Sequence, residues 1–186
     1  MKRVMKTAGI WVVAVACFAT IAVAQGTTGK LTIELTANGQ AAAGTVEILP
    51  AQGGPAAAQG ASGAAYDVPA GAYDVKATLT DAIDDPQRTM GGIDVAAGGA
   101  RTVRVDFQVG RVTLVCRKAG ADVTGDAKLR RPGLSAWLPS VRCGETFLVS
   151  GGTYEAQVTA SGAAQAVSID FLQIMSGATQ RLPIDL

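Results

Sequence analysis

Histidine is absent from all 186 residues, and that gap removes a good deal of chemistry. Without imidazole there is no Ser-His-Asp or Cys-His nucleophilic arrangement, and no His-rich metal site. Aromatic side chains make up 5% of the chain, so any hydrophobic core is thin. Small domains with thin cores need support from a neighbour or a covalent staple. Three cysteines occur, none in CxxC spacing, which leaves zinc and redox motifs without their signature. Long apolar runs end at residue 24, so nothing beyond it spans a bilayer as a helix. Helical periodicity is missing too; glycine is dense and β-branched residues cluster in short runs.

What is present begins with an export signal. Lys2, Arg3 and Lys6 precede an uncharged stretch from Ala8 to Ala22, and Ala22-Val23-Ala24 supplies the small-x-small pattern of a signal-peptidase site. Cleavage is expected before Gln25, giving a signal over residues 1–24. Two alternatives stay open: an uncleaved anchor, and lipoprotein processing at Cys17 after Ala14-Val15-Ala16. Removing the signal takes 3 of the 16 basic residues and leaves 13 against 15 acidic ones, a net charge of −2. That balance gives no drive toward nucleic acid or anionic lipid. The mature protein is expected in the periplasm or outside the cell, with no membrane span.

The mature chain is a repeat. Val68-Pro69-Ala70-Gly71-Ala72-Tyr73-Asp74-Val75 returns as Val149-Ser150-Gly151-Gly152-Thr153-Tyr154-Glu155-Ala156, and Gly71 to Gly152, Tyr73 to Tyr154 and Tyr66 to Phe147 are each 81 residues apart. Each copy reads as a strand, a glycine turn and a strand opened by an inward tyrosine, the two strands forming a hairpin. Gly110-Arg111-Val112-Thr113-Leu114 likewise repeats Gly29-Lys30-Leu31-Thr32-Ile33. Two modules follow, 25–108 and 109–186.

Within the first, Leu31-Thr32-Ile33-Glu34-Leu35-Thr36 alternates strictly, Asn38-Gly39 signals a turn, and Thr45-Val46-Glu47-Ile48-Leu49 is a second strand. Residues 50–65 lack periodicity and read as a loop. Tyr73, Val75, Ala77 and Leu79 share an inward face, as do Val103, Val105 and Phe107. In the second module Val167-Ser168-Ile169-Asp170-Phe171 is another alternating strand, and Pro183 marks the last strand as an edge. The fold class is all-β: two tandem small antiparallel β-sandwiches.

After signal removal Cys116 and Cys143 remain, and an even pair in an exported protein predicts a disulfide. Cys116 has the parity of Val112 and Leu114, and Cys143 that of Phe147, so both should face inward. Their counterparts in the first module are Leu35 and Ser62.

Taken together, a leading Gly-x-Val/Leu-x-Val/Ile strand, an apolar-x-x-x-Gly-x-Tyr-x-Val corner and a closing alternating strand resemble carboxypeptidase-regulatory-like domains. These are transthyretin-like (prealbumin-like) seven-stranded β-sandwiches, related in style to PEGA-type surface modules. The matching residues are Gly29 to Leu35, Val68 to Val75 and Ile93 to Phe107, and then Gly110 to Cys116, Val149 to Ala156 and Val167 to Leu186. Gly60-Ala61-Ser62-Gly63 stands where the family carries an Asp-Gly turn. The resemblance implies a non-catalytic accessory or adhesive role and carries over no catalytic residue.

Three clusters are candidates for chemistry. Asp74 and Glu155 are a carboxylate pair of the kind glycoside hydrolysis uses, but strand parity places them facing solvent. Asp81, Asp84 and Asp85 form the densest oxygen cluster, without EF-hand spacing, and a calcium site needs six to eight oxygens. No metal or other cofactor is expected. Arg130, Arg131, Trp137 and Arg142 replace the bland 50–65 loop of the first module. Basic groups around an aromatic suit a glycan, an acidic polymer or a protein partner. The plainer expectation is that Trp137 and Leu138 fold under the module while the arginines are solvated. The function expected is an exported, non-enzymatic binding or structural module with a protein partner in the cell envelope. The alternative is a carbohydrate-binding module built on Trp137.

Overall fold

The computed structural model describes residues 28–163 and 165–186. The expected signal over 1–24, and Cys17 within it, lie outside the described residues.

Every regular element among the described residues is a strand. The first eight are β1 (Thr28–Ala37), β2 (Gln40–Ala41), β3 (Gly44–Pro50), β4 (Ala58–Ala61), β5 (Ala65–Pro69), β6 (Gly71–Leu79), β7 (Gln87–Val95) and β8 (Ala100–Phe107). The next eight are β9 (Val109–Lys118), β10 (Ala121–Asp122), β11 (Gly125–Arg130), β12 (Val141–Arg142), β13 (Thr146–Ser150), β14 (Gly152–Ala160), β15 (Val167–Ile174) and β16 (Thr179–Asp185). In the first set, β1 pairs with β2, β5 and β8, while β4-β3-β6-β7 make a second sheet. The second set repeats this strand for strand: β9 pairs with β10, β13 and β16, and β12-β11-β14-β15 make the facing sheet.

Alternation drives the assembly. β6 buries Tyr73, Val75, Ala77 and Leu79 and turns Asp74, Lys76 and Thr78 outward. β1 contributes Leu31, Ile33 and Leu35, and β8 contributes Val103, Val105 and Phe107, all to one core. A second core gathers Val112, Leu114, Leu129, Val149, Tyr154, Val158 and Ile174.

Backbone detail repeats as well. Asn38 and Gly39 have φ 54° and 79°, and Ala119 and Gly120 have φ 50° and 82°, so the same left-handed turn joins β1 to β2 and β9 to β10. A Cβ on Gly44 would overlap the Thr78 carbonyl, and one on Gly125 would lie 2.5 Å from the Thr159 carbonyl oxygen. Glycine is therefore required at the same close approach in both halves.

Four features depart from the reading of the sequence. The glycine–tyrosine corner is not a hairpin: β5 pairs with β1, whereas β6 pairs with β3 and β7, so the corner carries the chain from one sheet to the other. The tyrosine explains why. Tyr73 Oη donates to the Pro69 carbonyl at 2.7 Å, and Tyr154 Oη to the Ser150 carbonyl at 2.8 Å, tying each arch across four residues. Second, neither sandwich is wholly antiparallel, because β8 runs parallel to β1 and β16 parallel to β9. The chain reaches each of these strands by crossing from the opposite sheet. Third, β4 forms inside the 50–65 stretch. Its small side chains carry no periodic signal, yet its backbone pairs with β3, and Gly60 sits where a Cβ would press the Tyr66 hydroxyl. Fourth, each half has eight strands rather than seven, counting two-residue pieces such as β2 and β10.

Cys116 and Cys143 are joined, with Cα atoms 5.6 Å apart. The bridge runs from β9 to the residue after β12, so it ties one sheet of the second sandwich to the other. Cys116 is fully buried and Cys143 partly so. Among the described residues β16 pairs with β9 alone, which puts Pro183 on an edge strand.

Candidate functional site

The basic cluster read from the sequence is divided three ways. Arg130 pairs with Glu155 across the strand, Nε to Oε2 2.5 Å, and its guanidinium covers the Trp137 ring at 4.4 Å from the centroid. Arg131 turns toward Asp84, 3.9 Å away, and lies over the Tyr154 ring at 4.9 Å. Arg142 stands opposite Asp126 in the strand register and pairs with Glu145 at 3.7 Å. Leu138 packs against the second core, while the Trp137 residue is 36% exposed. The four residues therefore do not converge on one ligand, and two of the three arginines are engaged by carboxylates and aromatic rings together.

The acidic cluster is divided as well. Asp81 accepts the Ala43 amide at 2.6 Å. Asp84 accepts the Ser150 amide at 3.1 and 3.3 Å through its two oxygens. Asp85 closes a turn with φ 41°, its N–H donating to Ala82. Among the described residues, no three His, Cys, Asp or Glu side chains are gathered to hold a metal. Asp74 and Glu155 occupy equivalent places in different sheets, Asp74 accepting the Gly92 amide at 3.3 Å and Glu155 held by Arg130.

Three groups are shifted electrostatically, and for Tyr66 burial alone pushes the phenol up. Tyr154 is fully buried, which pushes its phenol up to about 12; the negative charge of Asp84 adds to the rise and Arg131 opposes it. The Thr36 hydroxyl and the Gly39 amide donate to Asp106 at 2.7 and 2.8 Å, and these bonds hold its carboxyl below the ordinary range.

A further feature lies in β15, where simple alternation misleads. A bulge sits between Tyr154 and Ala156: Tyr154 faces Leu172 and Ala156 faces Ile169, so Asp170 and Phe171 together oppose Glu155. The extra residue flips the parity. Leu172 and Ile174 go into the core and Phe171 is left 83% exposed. The first sandwich has the same bulge between Tyr73 and Val75, but its equivalent of Phe171 is Gly92, at φ 72°.

β15 pairs with β14 alone, so its other side is a free edge among the described residues. The other long edges are blunted in recognisable ways. β5 carries Asp67 and Pro69, β7 carries Arg88 and a Gly pair, β8 carries Arg101 and Arg104, and β16 carries Arg181 and Pro183. β13 has no charge, but residues 82–84 lie along its edge. β15 has neither lysine, arginine nor proline; its blunting devices are a single charge, Asp170, and the bulge at Asp170 and Phe171. The strand itself exposes Val167 and Phe171, and Met175, which follows it, is 55% exposed. Gln180 covers only its far end, donating to the Gln173 carbonyl and accepting the Met175 amide.

No family model matches the chain, and no curated protein matches it. Solved structures with similarity include the Bacillus anthracis TIE protein, 14% identical with a TM-score of 0.36, covering 86% of this chain and 34% of that one. This chain thus spans about a third of the length of that protein. A protein described as a candidate cell-adhesion protein from Bacteroides ovatus is 9% identical, TM-score 0.40, covering 84% of this chain and 91% of that one. The shaft pilin spaA of Lactobacillus rhamnosus GG is 12% identical, TM-score 0.33, covering 86% and 98% respectively.

Proposed function

We propose that the chain is an exported, non-enzymatic surface module, built of two sandwiches over 25–108 and 109–186, that holds an extended segment of a protein partner along β15. The observation that carries this reading is the β15 edge itself, uncharged apart from Asp170 and flanked by Phe171. An added strand would satisfy the free backbone groups of the edge, and alternate side chains would supply selectivity. Covering Phe171 alone would contribute about 1.5–3 kcal/mol. The resemblance to carboxypeptidase-regulatory-like and PEGA-type modules agrees with such an accessory role.

The test is recovery of partners from envelope extract with the mature chain as bait, run beside Val167→Lys and Phe171→Lys. A lysine is the device that blunts natural edges. A protein retained by the parent chain and lost with both variants, at unchanged melting temperature, supports the reading. Equal recovery by all three chains contradicts it. A glycan array run on the parent chain and Trp137→Ala covers the rival: sugar binding that disappears with the indole would move the site from β15 to the 130–142 loop.

A further inference from the structure

The uncharged edge of β13 is covered from within the chain, and the cover points to a latch between the two sandwiches. Ala82 forms a parallel bridge with Leu148, the Ile83 amide donates to the Leu148 carbonyl at 2.9 Å, and the Ser150 amide donates to Asp84. The 82–84 loop thus behaves as a short surrogate strand, meeting β13 at residues 148 and 150, two apart, as an edge requires. Apolar side chains are exchanged across the contact: Ile83 packs against the second core and Leu148 against the first. Asp84, with its side chain 11% exposed, is held from the second sandwich by the Ser150 amide and by Arg131, which also stacks on Tyr154. The join is pinned separately. Asn38 Nδ2 donates to the Val109 carbonyl at 2.8 Å, Asn38 Oδ1 accepts the Val109 amide at 3.0 Å, and Val109 is buried in the first core.

We propose that the 82–84 loop, Ser150 and Arg131 latch the two sandwiches into one rigid body, and that the latch can be used once per chain. Thr80 donates to Ala43 as Ser161 donates to Thr124, which fixes the alignment of the two loops. By that alignment Gln165 replaces Asp84, so the second sandwich has no carboxylate to offer. Pro69 replaces Ser150, so the first sandwich has no N–H to donate. A further copy of either sandwich could not be added through this contact.

Residual dipolar couplings on the weakly aligned full mature chain test the latch. The parent chain should fit a single alignment tensor across both sandwiches. Asp84→Ala and Ser150→Pro should each need two tensors, while Glu145→Ala, which removes only the ion pair with Arg142, should keep one. Ser150→Pro is chosen because the repeat already accommodates proline there, and the carbonyl that Tyr154 uses is retained. Two tensors in the parent chain, or one tensor in both latch variants, would overturn the proposal. Amide exchange in the parent chain gives a reading that needs no variant. The Ser150 amide should exchange at least about tenfold more slowly than the outward amides of β15, and equal rates would also overturn it.

Discussion

Tyr154 joins burial, a hydrogen bond and a neighbouring charge pair in one side chain. Its phenol is raised from the ordinary 10 to about 12, so the folded state holds that proton more tightly than the unfolded chain. The associated stability is complete below pH about 10 and is lost as pH rises toward about 12, a swing of about 3 kcal/mol at most. Urea melts at stepped alkaline pH should show this decline. Tyr154→Phe should remove that part of it and cost about 1 kcal/mol at neutral pH for the lost bond to Ser150. Asn38 and Ala119 occupy the same left-handed position, with φ 54° and 50°. Asn38→Gly keeps the backbone but removes both bonds to Val109, and thermal melts should show a loss of about 1–2 kcal/mol. Ala119→Gly removes strain without removing a bond and should stabilise by up to about 1 kcal/mol.

At the scale of elements, the two sandwiches differ by a staple and agree on where it would go. The Cys143 amide donates to Gly125 and the Gly144 amide to Leu114; the Ser62 amide donates to Gly44 and the Gly63 amide to Ile33. The backbone around Ser62 therefore matches that around Cys143. Joint replacement Leu35→Cys and Ser62→Cys should oxidise spontaneously to a second bridge, read as two fewer titratable thiols by mass spectrometry. Replacing Cys116 and Cys143 by serine opens a link with a sequence separation of 27 and should cost roughly 3–4 kcal/mol. Elements also show what the chain's pattern conveys and what it conceals. Alternation in β1, β6 and β8 is readable because one face of each is buried over most of its length. The arch at Tyr73 resembles a hairpin in one dimension, since a glycine between two apolar strands does not say which sheet each strand joins. Bulges are quieter still. Nothing local in Val167-Ser168-Ile169-Asp170-Phe171 announces that two of its residues will oppose one, and so the most exposed large apolar side chain among the described residues is hidden in an apparently regular strand.

For the whole molecule, the duplication was legible from spacing, because an offset of 81 survives from Gly29 to Tyr73 and their counterparts. It shortens to 79 by Gly98 and Gly177, which share a left-handed turn with φ 67° and 74°. The candidate sites were less legible, since charge clusters in a loop do not reveal their partners. Asp84 and Arg131 belonged to two different candidate clusters and meet each other instead, 3.9 Å apart. That meeting directs attention from the loops to the edges. Residues 82–84 cover the edge of β13, and among the described residues the outer edge of β15 is unpaired. The most direct measurement is crosslinking in the native cell envelope with a photoreactive residue at position 171, and at the outward Lys128 of the same sheet as control. A defined protein adduct from position 171, absent from position 128 and abolished by Val167→Lys, is the predicted result. Adducts of equal yield from both positions, or an adduct indifferent to Val167→Lys, would contradict the assignment of β15 as the docking edge.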